Sequence, residues 1–129
     1  MVAPLQILAD GGQMIIASRC DEGLGSHEYR DSQAQLKHMG AQAYLDRIRQ
    51  MPLADIDGWQ THMLLRPLSI GKVSLFSEGI KGADRELTGV SMIDSIEQAI
   101  QESVESSGDR TVAIIPEGPY VIPIYRTNS

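Results

Sequence analysis

Three residue types in this sequence invite a chemical reading: a lone cysteine, a few histidines and a glycine-rich loop. Cys20 sits beside Arg19 and a few residues before His27. A thiolate nucleophile needs a lowered pKa and a base within reach, and the plainer role for a single cysteine is a small, half-buried apolar side chain. His27, His38 and His62 form no H-x-x-x-H or H-x-E pair, and there is no Cys-x-x-Cys, so no metal site is legible. His38 reads as part of a solvated helix face; His27, beside a helix start, and His62, one turn after Trp59, are the better candidates for touching a ligand. Gly23-Leu24-Gly25-Ser26-His27-Glu28 imitates a dinucleotide fingerprint, yet Glu28 occupies the place of the third glycine and Asp21 and Glu22 would repel a pyrophosphate. A plain strand-to-helix turn explains the same residues. Trp59, taken alone, reads as a large core contact, although Gly58 and Gln60 are unusual core neighbours.

These residues need a scaffold, and the stretch from Gly11 to Ser26 provides its centre. Met14 to Ala17 is an unbroken apolar run between turn residues, as expected of a strand covered on both faces. Cys20, Gly23, Gly25 and Ser26 then lie in the loop beyond that strand, with Ser26 as the N-cap of the following helix. Helical periods run from Glu28 to Met39 and from Ala41 to Met51, with Pro52 as a stop. Asp55 or Asp57 can cap a third helix through Trp59, Met63 and Leu64, ending or kinking near Pro67.

Lys72 to Ser77 reads as the second strand, and Leu87 to Val90 as a weak, short one. Ser91 to Asp94 resembles a capping box opening a helix striped by Ile93, Ile96, Ile100 and Val104 and closed by Gly108. Thr111 to Ile115 is a second continuous apolar run, hence a further buried strand, ended by Pro116-Glu117-Gly118-Pro119. Tyr120 to Tyr125, interrupted by Pro123, reads as an edge strand or extended tail. The alternation implies an α/β domain with a mostly parallel sheet of about four strands and helices on both faces, three-layered and Rossmann-like. Ligands of such folds bind at the carboxyl edge of the strands, here Ser18–Ser26, Ser77–Gly82 and Pro116–Pro119.

Composition narrows the function classes. The chain has 129 residues and a net charge of −6, with acidic residues scattered along it. One domain with a real core is expected. Nucleic acid and anionic membrane, which call for basic stripes, are disfavoured as partners. A single cysteine forms no internal disulfide and fits a reducing, cytoplasmic compartment. No stretch reads as a membrane span or signal peptide. Leu5, Leu8 and Ala9 read as the end of an apolar helix closed by Asp10-Gly11-Gly12, which gives the expectation that Met1 is a cloned start and that the natural protein continues upstream.

Four features in order resemble the C-terminal domain of the nickel-pincer lactate racemase family: the Gly-Gly strand, Cys20-Asp21-Glu22-Gly23-Leu24-Gly25-Ser26, Trp59-Gln60, and Ile114-Ile115-Pro116-Glu117-Gly118. The resemblance covers nearly the whole chain. It implies a two-domain cytoplasmic isomerase that racemises or epimerises 2-hydroxy acids in a cleft between its domains. The resemblance implies that hydride would pass from the substrate carbon to a nickel-pincer nucleotide and return to the other face. It further implies that the cofactor lysine, the metal-ligating histidine and the general-base histidines belong to an N-terminal domain, and that a Tyr-Gln pair and a lysine lie upstream of this chain's first residue. What remains here is the cleft tryptophan, matched by Trp59 in its Trp-Gln context, with Gln60 beside it; the Gly23–Gly25 loop matches a family feature without an assigned role. No catalytic or metal-ligating residue and no bound cofactor is expected in this chain alone, which should be inert without its N-terminal domain and the small 2-hydroxy acid substrate. The rival readings are a stand-alone small-anion or metabolite-binding module and a docking domain whose apolar surface binds a partner chain.

Overall fold

Turn residues fix where the first strand begins. In the computed structural model, which describes residues 3–53, 56–118 and 120–126, Gly11 takes a positive φ of 74° and its N–H donates to the carbonyl of Ile70. The chain then enters β1 (Gln13–Ala17), which pairs in parallel with β2 (Lys72–Phe76), and β2 pairs in parallel with β3 (Ser91–Ile93). The order is β1-β2-β3. Three helices fill the first crossover: α1 (His27–Met39), α2 (Ala41–Gln50) and α3 (Gly58–Ile70). A fourth, α4 (Ile96–Ser107), follows β3 and packs against β1, while α3 packs against β2 and α1. The result is an α/β domain with a parallel sheet and helices on its faces, three strands being found among the described residues.

Backbone bonds at the ends of β1 settle which edge it offers. Lys72 N–H donates to the carbonyl of Gly12 and Ser18 N–H donates to the carbonyl of Phe76, at 2.9 and 3.0 Å. Bonds in a parallel ladder are evenly spaced and reach one neighbour from every second residue. Met14 and Ile16 therefore bond toward β2, and the N–H and C=O groups of Gln13, Ile15 and Ala17 face the other way. Among the described residues nothing pairs with them. β1 is an open edge.

The core joins Met14, Leu24, Leu36, Tyr44, Leu64, Val73, Ile80 and Ala99. A buried polar chain links the first three helices, since Ser32 Oγ bonds both Tyr44 Oη and Thr61 Oγ1. Gln33, only 1% exposed, donates through Nε2 to Tyr29 Oη, while its Oε1 has no partner among the described residues. Burial, the largest influence on Tyr29, raises its phenol pKa above the ordinary 10.0; the bond from Gln33 lowers it and nearby Tyr44 raises it further.

Several sequence expectations need correcting. The N-terminal helix through Leu5, Leu8 and Ala9 is a short 3-10 turn over Ala3–Gln6, after which Ile7 N–H donates to the carbonyl of Pro4 three residues back. The weak strand at Leu87–Val90 is instead the end of a 3-10 helix (Gly82–Leu87) and a turn, in which Thr88 Oγ1 donates to a backbone carbonyl and Gly89 has a φ of 71°. Ser91 opens no helix: pairing with Ser74 draws Ser91 into β3, and Ser95 caps α4 by accepting from Gln98 N–H at 3.1 Å. Pro67 lies within the last turns of α3, and the helix continues past it to Ile70. Thr111–Ile115 is neither strand nor buried, and Tyr120–Tyr125 forms no strand and is largely exposed. Asp55 and Pro119 lie outside the described residues.

Candidate functional site at the carboxyl rim

The loops beyond β1 and β2 are locked together before any ligand is considered. Ser77 Oγ and Gly79 N–H both donate to the carbonyl of Arg19, at 2.9 and 2.8 Å. Gly79 approaches so closely that a Cβ there would stand 2.0 Å from the carbonyl oxygen of Cys20. Cys20 itself has a φ of 50°, a left-handed conformation that costs a residue with a Cβ about 1–2 kcal/mol. It is held there by its carbonyl, which accepts from Gly23 N–H, and by its thiol, which donates to Ser18 Oγ at 3.3 Å. Gly23 and Gly25 have φ of 65° and 99°, so glycine is what lets the loop turn back toward α1.

Ser26 then joins two helix starts. Its Oγ accepts from Tyr29 N–H at 3.1 Å, the N-cap bond of α1, and donates to Asp57 Oδ2 at 2.6 Å. Asp57, with a φ of 61°, occupies the N-cap position of α3 but makes no side-chain cap bond to that helix's backbone. Its second carboxylate oxygen accepts from Gln60 Nε2 at 3.1 Å. The chain Tyr29 N–Ser26–Asp57–Gln60 thus places the start of α3, with Trp59 and Gln60, against the glycine loop. The Arg30–Asp84 ion pair closes the same end, bringing the Gly82–Leu87 turn to α1 close to Gly23.

All six residues named from the sequence, Cys20, Gly23, Gly25, Ser26, Trp59 and Gln60, therefore belong to the loops and helix starts of this rim. Asp57 was foreseen only as a cap; its bridge to Ser26 spans 31 positions and leaves no sequence signal. Trp59 does not fill the core, being 63% exposed. Leu53 and Ile56, just before it in the chain, are 80% and 73% exposed. The rim combines a polar floor with apolar side chains open to solvent. His27, at the first turn of α1, His38 and His62 are all exposed, and none joins the chain of bonds around Ser26.

A family model, lactate racemase C-terminal domain, matches residues 1–123. The chain belongs to that family. No curated protein matches it. As a lactate racemase C-terminal domain, the chain holds its Gly23–Gly25 loop and Trp59-Gln60 together at one rim of its sheet. Among the described residues no group of three or more His, Cys, Asp or Glu side chains is arranged to hold a metal ion, and no helix is long and apolar enough to cross a membrane.

Proposed function

We propose that this domain forms one wall of an interdomain cleft in a lactate-racemase-like isomerase acting on a 2-hydroxy acid, with a nickel-pincer nucleotide held by the N-terminal domain. The observation that carries this reading is Trp59. An indole on a helix start, exposed at the carboxyl rim and preceded in the chain by exposed Leu53 and Ile56, leaves about 2 kcal/mol of burial per large side chain unrealised until another surface covers it. Its role is to exclude water from the reacting centre once the cleft closes, which hydride chemistry requires. Gln60, tethered to Asp57, supplies a fixed amide for the substrate's polar groups. Cys20, Gly23, Gly25 and Ser26 shape the floor and hold the start of α3 in place.

The domain alone is inert on this reading, with its partner being its own N-terminal domain in a cytoplasmic enzyme. The test is racemisation of lactate and related 2-hydroxy acids by the cofactor-loaded N-terminal domain, with and without this chain. Turnover should require both. Full-rate turnover by the N-terminal domain alone would falsify the assignment. Calorimetry of this chain with the same acids separates the metabolite-binding alternative, for which heat of binding should appear without a second domain.

A further inference from the structure

Asp57 gives its carboxylate to other side chains, not to the backbone of the helix it begins. We infer that Asp57 is a positioning residue: its bond to Ser26 sets the first turn of α3 so that Trp59 keeps one direction at the carboxyl rim, and turnover depends on that setting without Asp57 touching substrate. For its effect on turnover the inference rests on the isomerase reading; for its effect on Trp59 it rests on this chain alone.

An aspartate at an N-cap ordinarily accepts from the backbone N–H two or three residues on. Asp57 occupies that place before α3, in a left-handed conformation with a φ of 61°, and makes no such bond. Side-chain donors take both carboxylate oxygens instead, Ser26 Oγ on Oδ2 at 2.6 Å and Gln60 Nε2 on Oδ1 at 3.1 Å. A hydroxyl on a carboxylate at that length is charge-assisted and stronger than a neutral pair.

Two anchors therefore hold the start of α3 to α1. Thr61, with 0% exposure, accepts from Ser32 Oγ in α1 at 2.9 Å. Asp57 accepts from Ser26, the N-cap of the same helix. Residues four apart lie on one side of a helix, so both bonds draw the same side of this turn toward α1. Trp59, two residues before Thr61, lies roughly 200° round the helix from it, and its indole is left open to solvent. With Thr61 alone the first turn is free to fray and the indole to swing. With Asp57 held as well, its direction is referred to the glycine loop, because Ser26 is itself fixed by Tyr29 N–H.

Two measurements test this, one for each support. Trp59 is the sole tryptophan of the chain, so time-resolved fluorescence anisotropy of the 129-residue chain reads its motion. Asp57→Gly removes both side-chain bonds, suits the left-handed φ and leaves the Thr61 anchor in place. The fast, local part of the anisotropy decay should grow at least about twofold. Asp57→Asn keeps an acceptor for Ser26 and tolerates the same φ, and its decay should match the parent's. In the two-domain enzyme Asp57→Gly should lower kcat about tenfold or more with KM within about threefold, as for a misplaced wall. Asp57→Asn should hold kcat within about threefold of the parent. Ser26→Gly, a tolerated N-cap, breaks the same bond from the other side, and the double variant should be no worse than the more damaging single one.

An anisotropy decay unchanged by Asp57→Gly overturns the inference. So does an Asp57→Asn loss as large as that of Asp57→Gly, which would make the charge of the carboxylate the working part. An Asp57→Gly enzyme with a lower melting temperature and unchanged kcat overturns it too. A two-domain parent that racemises nothing overturns the isomerase reading instead, and the anisotropy still decides the tether.

Discussion

At Cys20 the backbone, not the thiol, sets the main constraint. Its φ of 50° is unfavourable for any residue with a Cβ, while the thiol only donates to Ser18 Oγ. Cys20→Gly relieves the strain and gives back part of the gain to the freer unfolded chain. The expected outcome is unchanged or slightly higher stability, by up to about 1 kcal/mol. Cys20→Val, β-branched and rigid, should lose about 1–2 kcal/mol. Chemical denaturation of the two variants checks both values, and equal stability of the glycine and valine forms would show that the local backbone is not the constraint.

The meeting of elements depends on contacts that admit no side chain. Gly79 is where the loop after β2 meets the loop after β1, and a Cβ there would overlap the carbonyl of Cys20. Gly79→Ala must push the two loops apart, breaking the Gly79 N–H bond to Arg19. We expect a loss of about 2–3 kcal/mol in urea denaturation. A melting temperature equal to that of the parent chain would contradict the locked rim.

The packing of α1 makes a different demand. Tyr29's phenol is held neutral above its ordinary pKa of 10.0, chiefly by burial. The unfolded chain then loses this proton first as pH rises, so the native state binds more protons and stability falls from about pH 10 upward, until the folded phenol also ionises. Below that pH the contribution is fully present. Urea midpoints should be flat from pH 8 to the onset of this decline, and Tyr29→Phe should flatten the decline itself.

In the proposed function, the molecule as a whole presents a surface that a second domain covers. Trp59 is mostly exposed, so Trp59→Ala should change the stability of this chain by no more than about 0.5 kcal/mol. In the proposed two-domain enzyme the same substitution should cut turnover at least tenfold, about 1.4 kcal/mol of lost transition-state stabilisation. Thermal melts of this chain and racemisation rates of the complete enzyme read the two effects separately. A large drop in the melting temperature would instead make Trp59 a core residue.

Local pattern and turn chemistry were enough to mark much of the molecule. The apolar run at Met14–Ala17, the glycine loop, Ser26 as a cap and the periods of α1 and α2 depend on neighbours in sequence, and they are present where those neighbours put them. The four features in order also pointed to the family whose model matches residues 1–123. Tertiary structure decided the rest. Pairing with β2, not the capping pattern, turned Ser91–Ile93 into a strand and moved the start of α4 to Ile96. Exposure placed Trp59 outside the core, although nothing in its neighbours distinguishes a core indole from an open one. The Ser26–Asp57 bond, spanning two helix starts, exists only because the first crossover folds back on itself. Periodicity records which side of an element is apolar, but what covers that side depends on residues distant in the chain.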